Sequence, residues 1–192
     1  MPYPPAPWQL HGQLWVSLFR VRESDHPGHR GGLYGAAFVS YEPPGQLTYS
    51  ELLVATPTGR RATITDIWVD SPDSRDGGRA LWAIPKDLAG FARDDAGSRV
   101  RRTTWRAEVD GRPAATAQFA DVSHRAPRTP FRASTHQVRE DGSTVLAPIR
   151  GSARTLPCRA SWSFDDAGPL AWLDGKRPLA SFRLRDFSMT FG

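Results

Sequence analysis

The chain has 192 residues, 39% of them hydrophobic and 23% charged, enough for one domain with a sizeable core and no need of disulfide staples. Its single cysteine, Cys158, excludes an intrachain disulfide and fits a reducing compartment. No apolar run approaches the roughly 18 residues a membrane helix needs, and 7 Trp, 9 Phe and 4 Tyr supply the apolar surface that disordered chains lack.

Taken in chain order, the segment before Trp8 has no basic start and no apolar stretch, so no signal peptide is expected and the chain reads as a soluble cytoplasmic protein. Gln9 to Arg22 is a strand with Leu14, Val16 and Leu18 on one face and Trp15, Phe19 and Val21 on the other. Both faces look covered, as in a central strand. A loop from Ser24 to Gly32 holds His26 and His29, with no third ligand to complete a metal site. Strands are expected over Leu33–Tyr41, Leu47–Thr56 and Ala62–Val69, separated by turns at Glu42-Pro43-Pro44-Gly45 and Pro57-Thr58-Gly59. Asp70 to Ser74 offers helix-capping chemistry, Arg75–Ala83 is the best helix candidate despite Gly77-Gly78, and Pro85 should stop it. Asp87 to Arg93 reads as a further short turn.

Hairpins dominate the rest. Trp105, Ala107 and Val109 alternate with charged residues, Asp110-Gly111 turns the chain, and Ala115, Ala117 and Phe119 run back. Asp141-Gly142 and Asp174-Gly175 are further turns. Phe182 and Leu184 are out of phase with Phe187, Met189 and Phe191, and a one-residue bulge near Arg185–Asp186 would return all of them to one face. The expected fold is mainly β (α+β), an antiparallel barrel or cone with one or two short helices, in a single domain over residues 1–192.

The formal charge of +5 raises the question of nucleic acid. The densest basic run, Arg99 to Arg106, reads as a strand with alternating faces, and no zinc-finger, basic-zipper or RNP-type signature occurs, so a solvated strand face is preferred. Neither nucleic acid nor membrane is an expected partner. Phosphate-loop, G-x-S-x-G and H-E-x-x-H motifs are absent. Cys158, after Pro157, suits packing better than nucleophilic work.

The informative asymmetry lies in the basic residues themselves. Of the 25, only Lys86 and Lys176 are lysines. Arginine does not lose its proton at workable pH, whereas a lysine amine can, and can then form an imine with a carbonyl. Lys86 follows a rigid Ile84-Pro85 lead-in and has Trp82 and Leu88 nearby, an apolar setting that disfavours the ammonium. A surface lysine beside Asp87 is the competing reading.

Tyr49-Ser50-Glu51, Trp68-Val69-Asp70, Gly78-Arg79 and Pro85-Lys86 together resemble the acetoacetate decarboxylase superfamily in order and spacing across Leu47 to Phe91. The resemblance implies a β cone with a closed pocket, a tendency to self-associate as a homo-oligomer, and an activity that needs no metal or organic cofactor. It implies Lys86 as the Schiff-base nucleophile and Glu51 as the carboxylate that orients it. Arg79 matches the family's Gly-Arg arginine, and Arg79, Trp82 and Gln13 are the substrate-binding candidates.

Three positions depart from the family pattern. Asp87 stands where decarboxylases carry a second lysine, Gln13 where they carry a substrate-facing arginine, and Ala36 or Ala37 where they carry another glutamate. The expected function is a Schiff-base-forming lyase acting on a keto acid or related carbonyl compound, of decarboxylase, aldolase or dehydratase type. The alternative is a non-catalytic β barrel that holds or folds an apolar small molecule.

Overall fold

The computed structural model describes residues 3–25, 28–121 and 126–192. Strands β1 (Trp8–Val21), β2 (Gly32–Tyr41), β3 (Tyr49–Thr58) and β4 (Arg61–Val69) are followed by helix α1 (Pro72–Trp82). Then come β5 (Asp87–Leu88), β6 (Gly90–Ala96), β7 (Arg101–Val109), β8 (Arg112–Asp121), β9 (Arg128–Val138), β10 (Thr144–Pro157), β11 (Arg159–Phe164) and β12 (Ala180–Phe191). Short 3-10 turns lie at Glu23–Asp25 and Ala171–Leu173.

Seven strands close a barrel in the order β3-β2-β1-β12-β10-β9-β4, with the β3–β4 pairing completing the ring. It is a mixed barrel, which corrects the expectation of an antiparallel one. Arg61 and Ala62 at the start of β4 pair parallel with Ser134 and Thr135 of β9, and Trp68 and Val69 at its end pair parallel with β5. The long crossing from β4 to β9 explains this. It carries α1 and a hairpin sheet between the two strands, so nothing forces the reversal that a tight turn imposes.

A second sheet, in the order β11-β8-β7-β6, packs outside the barrel. Trp15, Phe19, Phe38 and Leu52 from β1, β2 and β3 meet Trp105, Phe119 and Phe164 of that sheet in one buried cluster. A separate cluster fills the barrel end around Trp8, Leu10, Val39, Val69, Trp82, Ile84 and Phe187. The strand β1 therefore serves two different cores, with Trp8, Leu10 and Leu14 at the barrel end and Trp15, Phe19 and Val21 against the second sheet, whereas Val16 and Leu18 are half-buried and belong to neither.

The bulge expected near Arg185–Asp186 is present. Pairing of β12 with β1 slips between Gly12 and Leu14, and Asp186 takes a φ of 50°. The slip leaves Leu184, Phe187, Met189 and Phe191 all facing the barrel interior.

Two local expectations are corrected. The strand β3 continues through Pro57 to Thr58, and the turn shrinks to Gly59-Arg60, with Gly59 at φ 62°. The ladder offered by β4 outweighs the turn propensity of Pro57. Asp87 to Arg93 is also no turn. It forms β5 and the start of β6, an exposed edge strand whose charged residues hide its pattern from a periodicity reading. The loop residue His26 lies outside the described residues. His29 has Nε2 3.3 Å from an Asp66 carboxylate oxygen and stacks on Trp172. Among the described residues no group of three His, Cys, Asp or Glu side chains is placed to hold a metal ion, and no helix is long and apolar enough to cross a membrane.

Candidate functional site

The helix α1 begins one turn earlier than expected because Ser71 caps it. The Ser71 side chain accepts from the backbone N–H of Ser74, and Pro72 occupies the first turn, where its missing N–H costs nothing. The helix ends at Ala83, which takes the left-handed conformation at φ 54°. Ala83 N–H donates to the Arg79 carbonyl and Ile84 N–H to the Gly78 carbonyl. This cap folds Ile84-Pro85-Lys86 back along the helix it has just left.

The lysine stem consequently lies against α1. Ser74 and Gly78 are four residues apart and share one helix face. A Cβ at Gly78 would stand 2.8 Å from Lys86 Cδ, so the absence of a side chain there makes the channel for the lysine. At its end, Lys86 Nζ donates to Ser74 Oγ at 2.9 Å and to Glu51 Oε2 at 2.9 Å. Tyr49 OH lies 3.4 Å from the same nitrogen. Tyr41 OH donates to the other Glu51 oxygen at 3.1 Å, and the rings of Tyr41 and Tyr49 stack with centroids 4.2 Å apart. Lys86 is 4% exposed and Glu51 3%.

Lys86, Glu51, Tyr41 and Tyr49 sit in the wall of a cavity of about 230 Å³ inside the barrel. Apart from Thr135 the rest of its lining is apolar, drawn from every strand of the ring and from α1, and includes Trp8, Leu14, Ile64, Phe131, Leu184 and Met189. Apolar cavities of roughly 150 Å³ accept benzene, so the space suits a ring with a short side chain.

The charge state follows from competing effects. Desolvation is the largest and opposes the ammonium of Lys86. The Glu51 carboxylate opposes it in turn, with Tyr49 and the hydrogen bonds to both, and together they leave the lysine pKa above its ordinary value. In the resting state Lys86 is therefore an ammonium ion paired with Glu51. Burial, with the Glu51 charge, pushes the Tyr41 phenol well up, and burial also raises Tyr49, so both stay protonated at neutral pH.

Of the other sequence candidates, Trp82 lines the cavity, edge-on to Trp8 at 4.7 Å. Arg79 does not. It is exposed on the outer side, where its Nε donates to the Lys86 carbonyl oxygen and its guanidinium lies 3.7 Å from Asp87. It braces the lysine backbone from outside. Asp87 is exposed and points away from the cavity. Leu88 is also exposed and forms no part of the lysine's surroundings.

Gln13 is placed elsewhere altogether. Leu10 and Leu14 face the cavity, whereas Gln13 belongs to the opposite face of β1, where it bonds Asp186 and Glu42 and approaches Arg183. This corrects its assignment as a substrate-binding residue. Ala36 and Ala37 are buried and do not line the cavity. Cys158 is half-buried, and burial with the nearby Asp121 charge pushes its thiol up to about 12, so it is no nucleophile.

Sequence reasoning missed Ser74 and Tyr41, and assigned no role to Tyr49. Ser74 had a legible signal. It stands four residues before Gly78, itself part of the quoted motif. Tyr41 had none, because it reaches Glu51 only through the β2–β3 ladder, in which Tyr41 pairs with Tyr49.

No family model and no curated protein matches the chain. Solved structures do. An acetoacetate decarboxylase matches at a TM-score of 0.68 with 16% identity, covering 99% of this chain and 88% of that one. The acetoacetate decarboxylase of Legionella pneumophila matches at 0.68 with 13% identity, covering 99% and 86%. The enduracididine biosynthesis enzyme MppR matches at 0.69 with 18% identity, covering 99% and 87%. The chain thus has the acetoacetate decarboxylase-like fold over nearly its whole length, in a form divergent in sequence.

Proposed function

We propose that this protein is a lysine-imine lyase acting on a small carbonyl compound, with Lys86 as the nucleophile and Glu51 as its proton partner. The observation that carries this reading is the buried Lys86–Glu51 contact of 2.9 Å in the wall of an apolar cavity. An ion pair so placed is a poor device for stability, since its desolvation offsets most of its attraction. A surface salt bridge would serve stability as well. The fold supports the reading, because solved proteins of the same fold include acetoacetate decarboxylases and an enzyme captured with the condensation product of pyruvate and imidazole 4-carboxaldehyde.

The chemistry balances within the pair. The ammonium of Lys86 passes a proton to Glu51, and the neutral amine adds to the substrate carbonyl to give a carbinolamine. The protonated Glu51 returns its proton to the carbinolamine hydroxyl, which leaves as water. A protonated imine and a carboxylate remain, with the same net charge as at the start. The imine then accepts the electron pair of a breaking bond, in aldol cleavage, dehydration or loss of carbon dioxide. Ser74 and Tyr49 hold the nitrogen on line, and Tyr41 holds the carboxylate.

Borohydride reduction in the presence of a carbonyl compound, read by mass spectrometry of the full chain's peptides, tests this directly. The expected adduct is on Lys86. Lys176 provides an internal control, since its amine is tied to Asp25 at 2.8 Å in a surface turn. Labelling confined to Lys176, or no labelling with ketones and aldehydes of suitable size, refutes the imine. The resting charge of Lys86 favours one second reading, a barrel that holds an apolar ligand without covalent bonding. That reading is selected if such compounds bind, by quenching of the cavity tryptophans, while no adduct forms.

A further inference from the structure

We infer, resting on the imine reading above, that the substrate is an uncharged, largely apolar carbonyl compound and not a free keto acid, which leaves aldol cleavage and dehydration and excludes loss of carbon dioxide. The argument is one of charge inside the cavity. Among the described residues lining it, the only charged side chains are Lys86 and Glu51, and each is the other's partner. The imine sequence preserves this balance at every step when the substrate is neutral. A substrate carboxylate adds a buried negative charge that no group in the wall can match.

The remaining polar atoms do not fill that role. Ser74, Tyr49 and Tyr41 are committed to the lysine and the glutamate. The other hydroxyl in the wall is that of Thr135, whose Oγ1 has no hydrogen-bond partner among the described residues. It lies beside Ala62, at the opposite end of β4 from Val69, which pairs with Glu51. One remote hydroxyl satisfies a hydroxyl or carbonyl on a ligand but does not neutralise a carboxylate.

The basic side chains that the fold does gather are on the wrong side. Arg183 pairs with the buried Asp121 at 2.9 Å and packs over the Trp15 ring, on the face of β1 that Gln13 shares. Arg101 and Arg185 join that outer group with Asp186. The barrel wall stands between these arginines and the lysine, so they cannot reach a substrate bound at Lys86. The apolar side chains that line the cavity favour a hydrocarbon or aromatic body.

The test compares pairs that differ only in charge: acetoacetate with its methyl ester, and benzoylacetate with its methyl ester. Each is trapped on the full chain with borohydride, and the Lys86 adduct is normalised to trapping of free lysine under the same conditions. An unmatched buried charge is expected to separate the partners of a pair by on the order of a hundred-fold or more in half-labelling concentration. The esters label Lys86 and the acids do not, with the phenyl ester the better of the two. Equal or stronger labelling by the acids overturns this inference and leaves the imine intact. No Lys86 adduct with any of the four overturns the imine itself. Tryptophan quenching by the esters without reduction then identifies the non-covalent barrel.

Discussion

Replacing Glu51 by glutamine keeps the size and hydrogen-bonding capacity of the side chain and removes the counterion of Lys86. Breaking a buried pair in this way costs about 3–5 kcal/mol, because it strands a desolvated charge. The lysine answers by giving up its proton. Burial disfavours the ammonium of a lysine that has lost its counterion, so the pKa of Lys86 in E51Q falls below its ordinary value. The two proteins then differ in how stability follows pH. In the wild type the folded pKa is raised. The contribution of the pair is therefore complete below the unfolded value and is lost only as pH climbs through the higher folded one, leaving a flat profile near neutrality. In E51Q the folded pKa is depressed, so the unfolded chain binds more protons between the two values. Stability of the variant should rise with pH by up to about 1.4 kcal/mol per unit. Urea titrations from about pH 6 to about pH 10, followed by tryptophan fluorescence, measure both curves. Adding Lys86→Met to E51Q should restore most of the loss and abolish the slope, since neither charge remains. An E51Q curve parallel to the wild type and within about 0.5 kcal/mol of it at neutral pH would show that the ion pair does not form.

Two further substitutions probe how the lysine is placed. Gly78→Ala puts a methyl group against the Lys86 stem at 2.8 Å from Cδ. The helix gains about 1 kcal/mol of propensity, so the melting temperature should hold while the lysine is displaced, and borohydride labelling of Lys86 should fall at least about ten-fold; unchanged labelling would show that the channel is not needed. Gln13→Ala removes contacts to Asp186 and Glu42 on the outer face, and it should lower stability by about 1–2 kcal/mol without altering labelling of Lys86. A large loss of labelling at constant stability would return Gln13 to the substrate path.

Most of the strand content was legible because it rests on local signals. Alternation marked β7 and β8, Asp-Gly pairs marked the turns, and the phase change between Leu184 and Phe187 announced a bulge that the register of β12 contains. Composition and order were enough to single out Lys86, since a chain with 23 arginines has little reason to place a lysine after Ile84-Pro85. The same alternation that faces Glu51 and Leu53 to one side brings both to the cavity.

The sequence could not say which way β4 runs beside β9, because parallel pairing depends on the long crossover from Val69 to Arg128 and not on any local pattern. Nor could it fix the side of β1 on which Gln13 falls, which turns on the slip at Gly12 and on which of two cores each face meets. The charge of Lys86 was equally out of reach. An apolar neighbourhood suggests a neutral amine, and only the placement of Glu51, Tyr49 and Ser74 within hydrogen-bonding distance reverses the sign. Local propensity and spacing therefore determined the elements and the candidate nucleophile. The barrel's closure decided which carboxylate meets that lysine, which arginines are kept from it, and so what kind of molecule the cavity can accept.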